Sequence, residues 1–387
     1  MVKEEVLIIA DNRFPDTYAA TTRMYMLCKL FQAAGYETTV YIINVDKNRR
    51  IYLRDQKITC RWFDEGNSAL AYYYIHNKYF MRAISKRKNL RYVVIYQEVL
   101  LKMLPVILKQ KKLQCQVIGY FDEWYDWGKM YSSTRWREFH RDITVRAAEY
   151  VVAPMLRKRI VISRWLDQFY GRKHNFYFPA VVDLKEDIWE GRKSANQERI
   201  MLLYAGFPGN RDDLRNLVEV IDELSENKKR KIMFKIYTYA TTLEDLKRHI
   251  PNLTAIRRRN EGIIQFCGEA DRTEIISQLK KVDFSCLIRK NKRSNNAGFS
   301  TKISESMAVG IPMLITDTSD AAVYIRDGVN GILLQDDSKE QVRKGIERIL
   351  LLRRSDIEKM KRNARRTAEE WLDYTCYSKE IREFLEQ

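Results

Sequence analysis

A short stretch in the last third of the chain places a glycine loop, two hydroxyl residues and a carboxylate where they could bind a phosphorylated ligand. Gly298 begins the loop, and Ser300 and Thr301 carry hydroxyls that can cap the first free amides of a helix. A loop leading into a helix N-terminus favours anions, because unpaired N–H groups and the positive dipole end point the same way. Glu305 lies one turn further on, where its carboxylate could accept hydrogen bonds from sugar hydroxyls. An ordinary loop, helix and strand would show the same pattern, so both interpretations stay open.

The surrounding residues predict the elements that hold this stretch. Apolar residues recur at helical spacing from Ile303 to Ala308, Gly310 ends the helix, and an apolar strand follows from Met313 to Thr316. Upstream, strands are predicted at residues 200–205 and 282–288, each ending beside charged residues. The pattern is typical of an α/β domain with a parallel sheet.

Basic residues follow both upstream strands. The first strand leads into the turn Gly206–Asp213, which contains Arg211, and Arg289 stands at the end of the second strand. The planar guanidinium of Arg289 suits bidentate contact with a phosphate. For the neighbouring Lys290, Lys292 and Arg293, solvation at the surface is the simpler interpretation.

The N-terminal half begins with another strand, loop, helix and strand, which predicts a Rossmann-like sheet. Asn12 and Arg13 follow the first strand and Asp122 and Glu123 follow a later one. Because ligands of parallel sheets bind beyond the carboxyl ends of the strands, we expect these four residues to face a ligand. For Asn12 and Arg13, a polar loop in contact with solvent is an equal alternative. Asp122 and Glu123 lie among aromatic residues and would suit a saccharide, although a helix start with buried rings is an equal alternative.

The order Gly298-Phe299-Ser300-Thr301-Lys302, then Glu305 and Gly310-x-Pro312, resembles the donor motif of GT-B glycosyltransferases of family 4, notably bacterial surface and capsular polysaccharide enzymes. In that family the glutamate binds the ribose of a nucleotide sugar and the loop amides hold its pyrophosphate. The common motif has a second glutamate eight positions earlier, where this chain has Ala297. The resemblance implies a set of donor-binding residues: Gly206, Gly298, Phe299, Ser300, Thr301, Lys302 and Glu305.

The turn after residue 205 resembles the family's G-x-P-G-x-K-D loop, in which a basic side chain neutralises the leaving phosphate. Arg211 takes that position, and Arg289 stands where related enzymes also carry arginine. Phe207 replaces an arginine found in many members. The resemblance therefore implies Arg211 and Arg289 as the catalytic cations, and Asp122 and Glu123 as acceptor-binding residues. Asn12 and Arg13 are acceptor candidates from their position after the first strand.

The fold implied is α/β, of the GT-B type, with two Rossmann-like domains whose parallel sheets face a central cleft. We predict an N-terminal acceptor domain at residues 1–183, a polar linker at 184–199 and a donor domain at 200–368. The last helix, within 369–387, would pack back on the first domain.

The charge of the chain is strongly positive and uneven. Residues 1–180 contain 31 Lys and Arg against 17 Asp and Glu, whereas the rest contains 38 against 34, and the net charge is +18. A basic first domain suits an anionic membrane surface, and it would also suit nucleic acid. No helix-turn-helix or RNP signature is visible, so nucleic acid is not the expected partner.

Cysteine and histidine are sparse: six Cys are scattered without a C-x-x-C, and four His have no ligand spacing. A disulfide scaffold or zinc site is therefore not expected, nor is any metal or other cofactor. The N-terminus passes directly into a strand, which predicts no signal peptide and a cytoplasmic location, peripheral on the inner face of the plasma membrane.

The resemblance implies a glycosyltransferase that retains the anomeric configuration, and we expect it to work without a metal ion. We expect it to move a sugar from a UDP or GDP donor to a saccharide acceptor that is lipid-linked, in surface polysaccharide synthesis. A GT-B nucleotide-sugar epimerase is the alternative enzyme, and it would act on the donor alone. A nucleic-acid-binding protein is the non-enzymatic alternative, recognisable by binding that weakens steeply with salt.

Overall fold

Two parallel β-sheets organise the chain, one in each of two units. In the computed structural model the first unit comprises Met1–Val181 with Tyr374–Gln387, and the second comprises Val182–Asp373. The structure describes residues 3–10, 19–43, 58–63, 78, 80–82, 84–124, 142–191, 198–209, 211–238 and 241–387. Asn12 and Arg13 lie outside these residues.

The first unit contains a seven-stranded sheet in the order β3-β2-β1-β4-β5-β6-β7, and every neighbouring pair is parallel. The central strands are apolar on both faces, as expected where helices cover both sides of a parallel sheet. The strand order changes direction between β1 and β4. The strands are β1 (Glu5–Ala10), β2 (Glu37–Ile43), β3 (Ile58–Phe63), β4 (Leu90–Tyr96), β5 (Gln116–Phe121), β6 (Lys158–Val161) and β7 (Asn175–Tyr177). The α-helices of this unit whose two ends lie among the described residues are Ala19–Ala33, Leu104–Leu108, Arg164–Phe169 and Ser378–Glu386.

The last helix, Ser378–Glu386, packs within this first unit. The Phe384 ring stacks on Phe176 with centroids 5.6 Å apart, and Lys158 Nζ donates to the carbonyl of Leu385 at 2.7 Å. These contacts join the helix to β6 and β7 of the same unit, and the part of the chain's end in this unit is Tyr374–Gln387.

The second unit contains a six-stranded parallel sheet in the order β10-β9-β8-β11-β12-β13. Its direction changes between β8 and β11, which are neighbours in the sheet although two strands separate them in sequence. The strands are β8 (Ile200–Gly206), β9 (Ile232–Thr238), β10 (Ile264–Gly268), β11 (Phe284–Leu287), β12 (Met313–Thr316) and β13 (Gly331–Leu334). The α-helices are Leu214–Asp222, Glu226–Lys229, Leu243–His249, Leu253–Arg259, Arg272–Leu279, Arg293–Asn296, Thr301–Ala308, Ala321–Tyr324, Lys339–Leu351 and Arg354–Thr367.

Part of the segment predicted as a polar linker belongs to the core of the second unit. Trp189 is 2% exposed and packs in a cluster with Met201 and Ile276. Its indole N–H donates to the carbonyl of Asp183 at 2.7 Å, which holds the segment in place. Burial of the apolar Trp189 thus draws this segment into the core, although the residues around it are polar. Residues 192–197 lie outside the described part of the chain.

Both units are α/β and parallel, as the sequence predicts. Within the described residues, no helix is long and apolar enough to cross a membrane.

Candidate functional site

The second sheet changes direction between β8 and β11, and the candidate site lies where these strands end. Ligands of parallel sheets bind at such switch points, because the loops after the two strands diverge and leave a crevice. β8 ends at Gly206, and Arg289 follows the end of β11 by two residues. The backbone N–H of Asp213 donates to the carbonyl of Ile288 at 2.7 Å, so the loop after β8 is tied to the end of β11.

Asp212 is the centre of this site. Its side chain is buried, with 4% exposed, and its Oδ1 accepts a hydrogen bond of 2.7 Å from Arg289 Nε. Its Oδ2 accepts from Lys302 Nζ and, at 3.0 Å, from the hydroxyl of Tyr204. Lys302 Nζ also lies 4.9 Å from the centre of the Tyr204 ring. One carboxylate therefore fixes two of the cations that the sequence assigns to phosphate binding.

The charges at Asp212 decide its ionisation. Burial alone would raise the pKa of Asp212, but Lys302 and Arg289 together lower it well below its usual range. Burial lowers the pKa of Lys302, and the charge of Asp212 opposes that effect. The three side chains carry one net positive charge when all are ionised, so the site remains suited to an anion.

Gly206 leaves the space that Lys302 occupies. A Cβ atom at this position would lie 2.8 Å from Lys302 Cε and 3.1 Å from Asp212 Oδ2. Neither distance leaves room for a methyl group beside the ion pair. Glycine at the end of β8 is thus a packing requirement of the site.

The helix Thr301–Ala308 begins beside this cluster, as predicted. Ser300 occupies the N-cap in an extended conformation, but its hydroxyl makes no capping hydrogen bond, which differs from the expectation for Ser300 and Thr301. No described residue accepts a hydrogen bond from the amides of Thr301 or Lys302, as is usual in the first turn of a helix. Gly298 is buried in the preceding loop, and the buried ring of Phe299 packs edge-on against Tyr324 at 5.5 Å. Only backbone groups of Phe299 could therefore reach a ligand.

Glu305 is held by an arginine that the sequence interpretation did not include. Arg272 Nε donates to Glu305 Oε1 at 2.8 Å, and the Arg272 guanidinium lies 5.3 Å from the centre of the Trp189 ring. Arg272 begins the helix Arg272–Leu279, which Asp271 caps. The carboxylate of Glu305 is thus oriented before any ligand binds, with its second oxygen left for another donor.

Arg211 lines a pocket that Asp212 and Asp213 also line. The pocket has a volume of about 190 Å³, and Arg215, His249 and Lys290 line it as well. Its backbone carbonyl accepts a hydrogen bond of 3.3 Å from Asn295 Nδ2. The structure thus places Arg211 in a pocket lined by both basic and acidic residues, and Arg289 pairs directly with Asp212.

In the first unit, Asp122 and Glu123 directly follow β5 and face Arg23. Arg23 Nη2 donates to Asp122 Oδ2 at 2.8 Å and lies 3.7 Å from Glu123 Oε1. Asp122 is 1% exposed. Trp124 is 2% exposed, so its ring belongs to the core and does not form part of an open surface for a sugar. Asp122 and Glu123 therefore share Arg23, which the sequence did not reveal, while Asn12 and Arg13 lie outside the described residues.

Among the described residues, no group of three or more His, Cys, Asp or Glu side chains could hold a metal ion. The residues that sequence reasoning missed are Asp212, Arg272 and Arg23. Asp212 adjoins Arg211 within the turn that the sequence singled out, which was the available signal. Arg272 and Arg23 lie in helices far from any motif, so the sequence contained no signal that pointed to them.

Residues 185–367 match the family model described as glycosyl transferases group 1. An uncharacterized glycosyltransferase from Methanocaldococcus jannaschii is 26% identical over 247 residues. That match covers 62% of this chain and 59% of the relative, so it spans less than two thirds of the relative's length.

Solved structures share the fold at low sequence identity. Anabaena HepE in complex with UDP has a TM-score of 0.70 at 12% identity, covering 99% of both chains. Its complex with UDP-glucose has a TM-score of 0.67 at 14% identity, again covering 99% of both chains. Sucrose-phosphate synthase from Thermosynechococcus elongatus has a TM-score of 0.70 at 14% identity, with 99% of both chains covered. These matches confirm the prediction of a two-domain α/β fold of the GT-B type.

Proposed function

Because residues 185–367 match the family model described as glycosyl transferases group 1, we propose that this protein transfers a sugar from a nucleoside diphosphate to a saccharide acceptor. The observation that carries the proposal is the convergence of Arg289 and Lys302 on Asp212 at the switch point of the second sheet. HepE has been solved with UDP and UDP-glucose, which makes UDP-sugars the first donors to test and GDP-sugars the second.

In this proposal the donor diphosphate binds at the start of the helix Thr301–Ala308. The amides of Thr301 and Lys302 donate to its oxygens, and the positive end of the helix dipole adds to the attraction. Glu305, held by Arg272, accepts hydrogen bonds from the ribose hydroxyls. This arrangement follows the donor motif that the sequence resembles.

The chemistry is electrostatic. The bond between the sugar C1 and the diphosphate oxygen breaks with its electron pair on that oxygen, and the acceptor oxygen bonds to C1. Arg289, Lys302 and Arg211 stabilise the growing negative charge in place of a metal ion. The proton of the acceptor hydroxyl passes to the released diphosphate. We propose retention of the anomeric configuration, as in the family-4 enzymes that the donor motif resembles.

The acceptor, in this proposal, is lipid-linked and belongs to surface polysaccharide synthesis on the cytoplasmic face of the plasma membrane. The excess of basic residues in 1–180, 31 against 17 acidic, supports an anionic lipid surface as the partner. Sedimentation with anionic vesicles at low salt tests this part. Protein that stays in solution with those vesicles would exclude it.

The first experiment is thermal unfolding with UDP, GDP, ADP, CMP and dTDP in the absence of metal. A ligand at about 100 times its dissociation constant adds about 2.7 kcal/mol of stability, which is an easily measured shift. We expect one nucleoside diphosphate, UDP first, to raise the melting temperature above the others. No shift with any of them would overturn the proposal.

A further inference from the structure

Two neighbouring strands of the first unit end in acidic residues at equivalent positions. Tyr96 of β4 pairs with Tyr120 of β5, so Glu98 and Asp122 each lie two residues beyond a paired position. Neighbouring strands are about 4.8 Å apart, which brings the side chains that follow their ends close together. Glu123 follows immediately and shares Arg23 with Asp122.

The charges in this cluster do not balance. Arg23 is the cation that contacts Asp122 and Glu123, so one guanidinium faces three carboxyl groups when Glu98 is included. Burial, reinforced by the charge of Asp122, raises the pKa of Glu98 to about 8. Burial also raises the pKa of Asp122, although Arg23 opposes it. The cluster thus retains a proton near neutral pH and remains negative overall.

Several polar atoms of the cluster have no hydrogen-bond partner among the described residues. They are Asp122 Oδ1, Glu98 Oε2, Gln97 Oε1 and Arg23 Nε. Asp122, Gln97 and Arg23 are 1%, 3% and 8% exposed, so these side chains lack water as well. Buried polar atoms without partners are rare in folded proteins and call for an explanation. Asp122 Oδ1 and Gln97 Oε1 are acceptors that lack a donor, and the protonated carboxyl of Glu98 can both donate and accept.

We propose that Glu98, Asp122, Glu123 and Arg23 form a binding subsite for a neutral or amino-bearing sugar. Glu98 is partly exposed and the side chain of Glu123 is 22% exposed, so these two meet the ligand. Behind them, the buried Arg23 contacts Asp122 and lies close to Glu123. Hydroxyl or ammonium groups supply the donors that the cluster lacks.

This subsite excludes anionic sugars. A uronate or a phosphorylated sugar would bring a further negative charge to a buried site that holds more carboxylates than cations. This proposal rests on the proposed function in one respect: the bound sugar is identified as the acceptor of the transfer reaction. Sugar binding itself can be measured without any donor or turnover.

The test is saturation-transfer NMR on the full chain with the methyl glycosides of glucose, glucosamine and glucuronic acid. We expect the first two to bind and the glucuronide not to bind. Glu123→Gln should weaken binding of the glucosaminide about tenfold, since hydrogen bonds to charged groups contribute about 1.5–3 kcal/mol. Glu98→Gln replaces a protonated carboxyl by a neutral amide and should give a smaller loss. Glu386→Gln, at an exposed position near the C-terminus, is the matched control and should bind as the wild type does.

Three outcomes would overturn the subsite: no binding of any glycoside, equal binding of the glucuronide, or unchanged binding in both cluster variants. Thermal shift with UDP on the same samples shows whether the variants remain folded, because that ligand is assigned to the second unit. A UDP shift without glycoside binding would sink the subsite alone. Glycoside binding without a nucleotide shift would instead contradict the proposed transfer reaction.

Discussion

Arg289 Nε donates to Asp212 Oδ1 at 2.7 Å, and this bond joins the ends of the two strands that flank the switch point of the second sheet. The same carboxylate accepts from Lys302, so both cations are oriented before a ligand binds. Preorganised charge is effective in catalysis because the protein need not rearrange as charge develops. The arrangement also means that a bound diphosphate competes with Asp212 for these cations.

Replacing Arg289 by alanine should reduce the rate of sugar transfer by about 10²–10³, by analogy with the loss of one donor to a developing oxyanion. Arg211→Ala should reduce the rate in the same direction, because it removes a second positive charge near the leaving group. Turnover of the donor with each variant is the measurement. Arg258→Ala, at an exposed position, is the control. Full turnover by both site variants would refute the electrostatic mechanism.

Asp212→Asn should lower the stability of the unliganded protein, because it leaves two cations near an uncharged amide. Breaking a buried ion pair by removing one partner typically destabilises a protein by about 3–5 kcal/mol. UDP should then raise the melting temperature of the variant by more than that of the wild type, since its phosphates supply the missing negative charge. Thermal unfolding with and without UDP measures both effects. An equal or smaller UDP shift in the variant would contradict competition between Asp212 and the ligand.

The strands of the site could be predicted from the sequence because they are short apolar runs followed by polar loops. The strand Met313–Thr316 has the bounds expected from its sequence. Ile58–Phe63 was not predicted, since threonine and arginine interrupt its apolar residues. The contacts of Asp212 could not be predicted for a different reason: its partners Arg289 and Lys302 are 77 and 90 residues away. Only the folded chain brings them together.

The helix after residue 353 shows where periodicity fails. Met360, Ala364, Ala368 and Trp371 form an apolar stripe in the sequence, and the first three are buried. Trp371 is 57% exposed, because the chain passes into a π-helical turn at Ala368–Leu372. The wider turn changes the phase of the helix and buries Leu372 instead.

Gly206→Ala should weaken UDP binding about tenfold while the fold remains intact. The added methyl group would displace Lys302 from Asp212, and overpacking of this kind costs about 1–3 kcal/mol. Isothermal titration with UDP is the measurement. Gly345→Ala is the matched control: its methyl group would lie 2.7 Å from Leu314 and 2.8 Å from Leu334, so stability should fall while UDP affinity stays. Wild-type affinity in Gly206→Ala would show that Lys302 need not hold its position.

Glu305→Ala should reduce affinity for UDP by about 10- to 100-fold, since a hydrogen bond to a charged group contributes about 1.5–3 kcal/mol. Pyrophosphate lacks the ribose and should bind the variant as well as it binds the wild type. Arg272→Ala should give a smaller loss, because Glu305 remains but is no longer oriented by the 2.8 Å hydrogen bond. Titration with both ligands separates the effects. An equal loss for pyrophosphate would assign Glu305 to the phosphates or to the fold.

The pH dependence of stability should reveal Glu98. Its pKa rises from 4.5 to about 8 in the folded protein, chiefly through burial and next through the charge of Asp122. Between these values the folded state keeps a proton that the unfolded state loses, so stability falls as pH rises and levels off above about pH 8. Glu98→Gln removes this term, and the variant should be more stable than the wild type near pH 8, with little difference near pH 4.5. Melting temperatures across this pH range are the measurement. Each kcal/mol of change in the free energy of unfolding should shift the melting temperature by about 2–4 °C. Glu386→Gln should follow the wild-type curve, and a Glu98→Gln curve parallel to it would show that Glu98 is not held protonated by the fold.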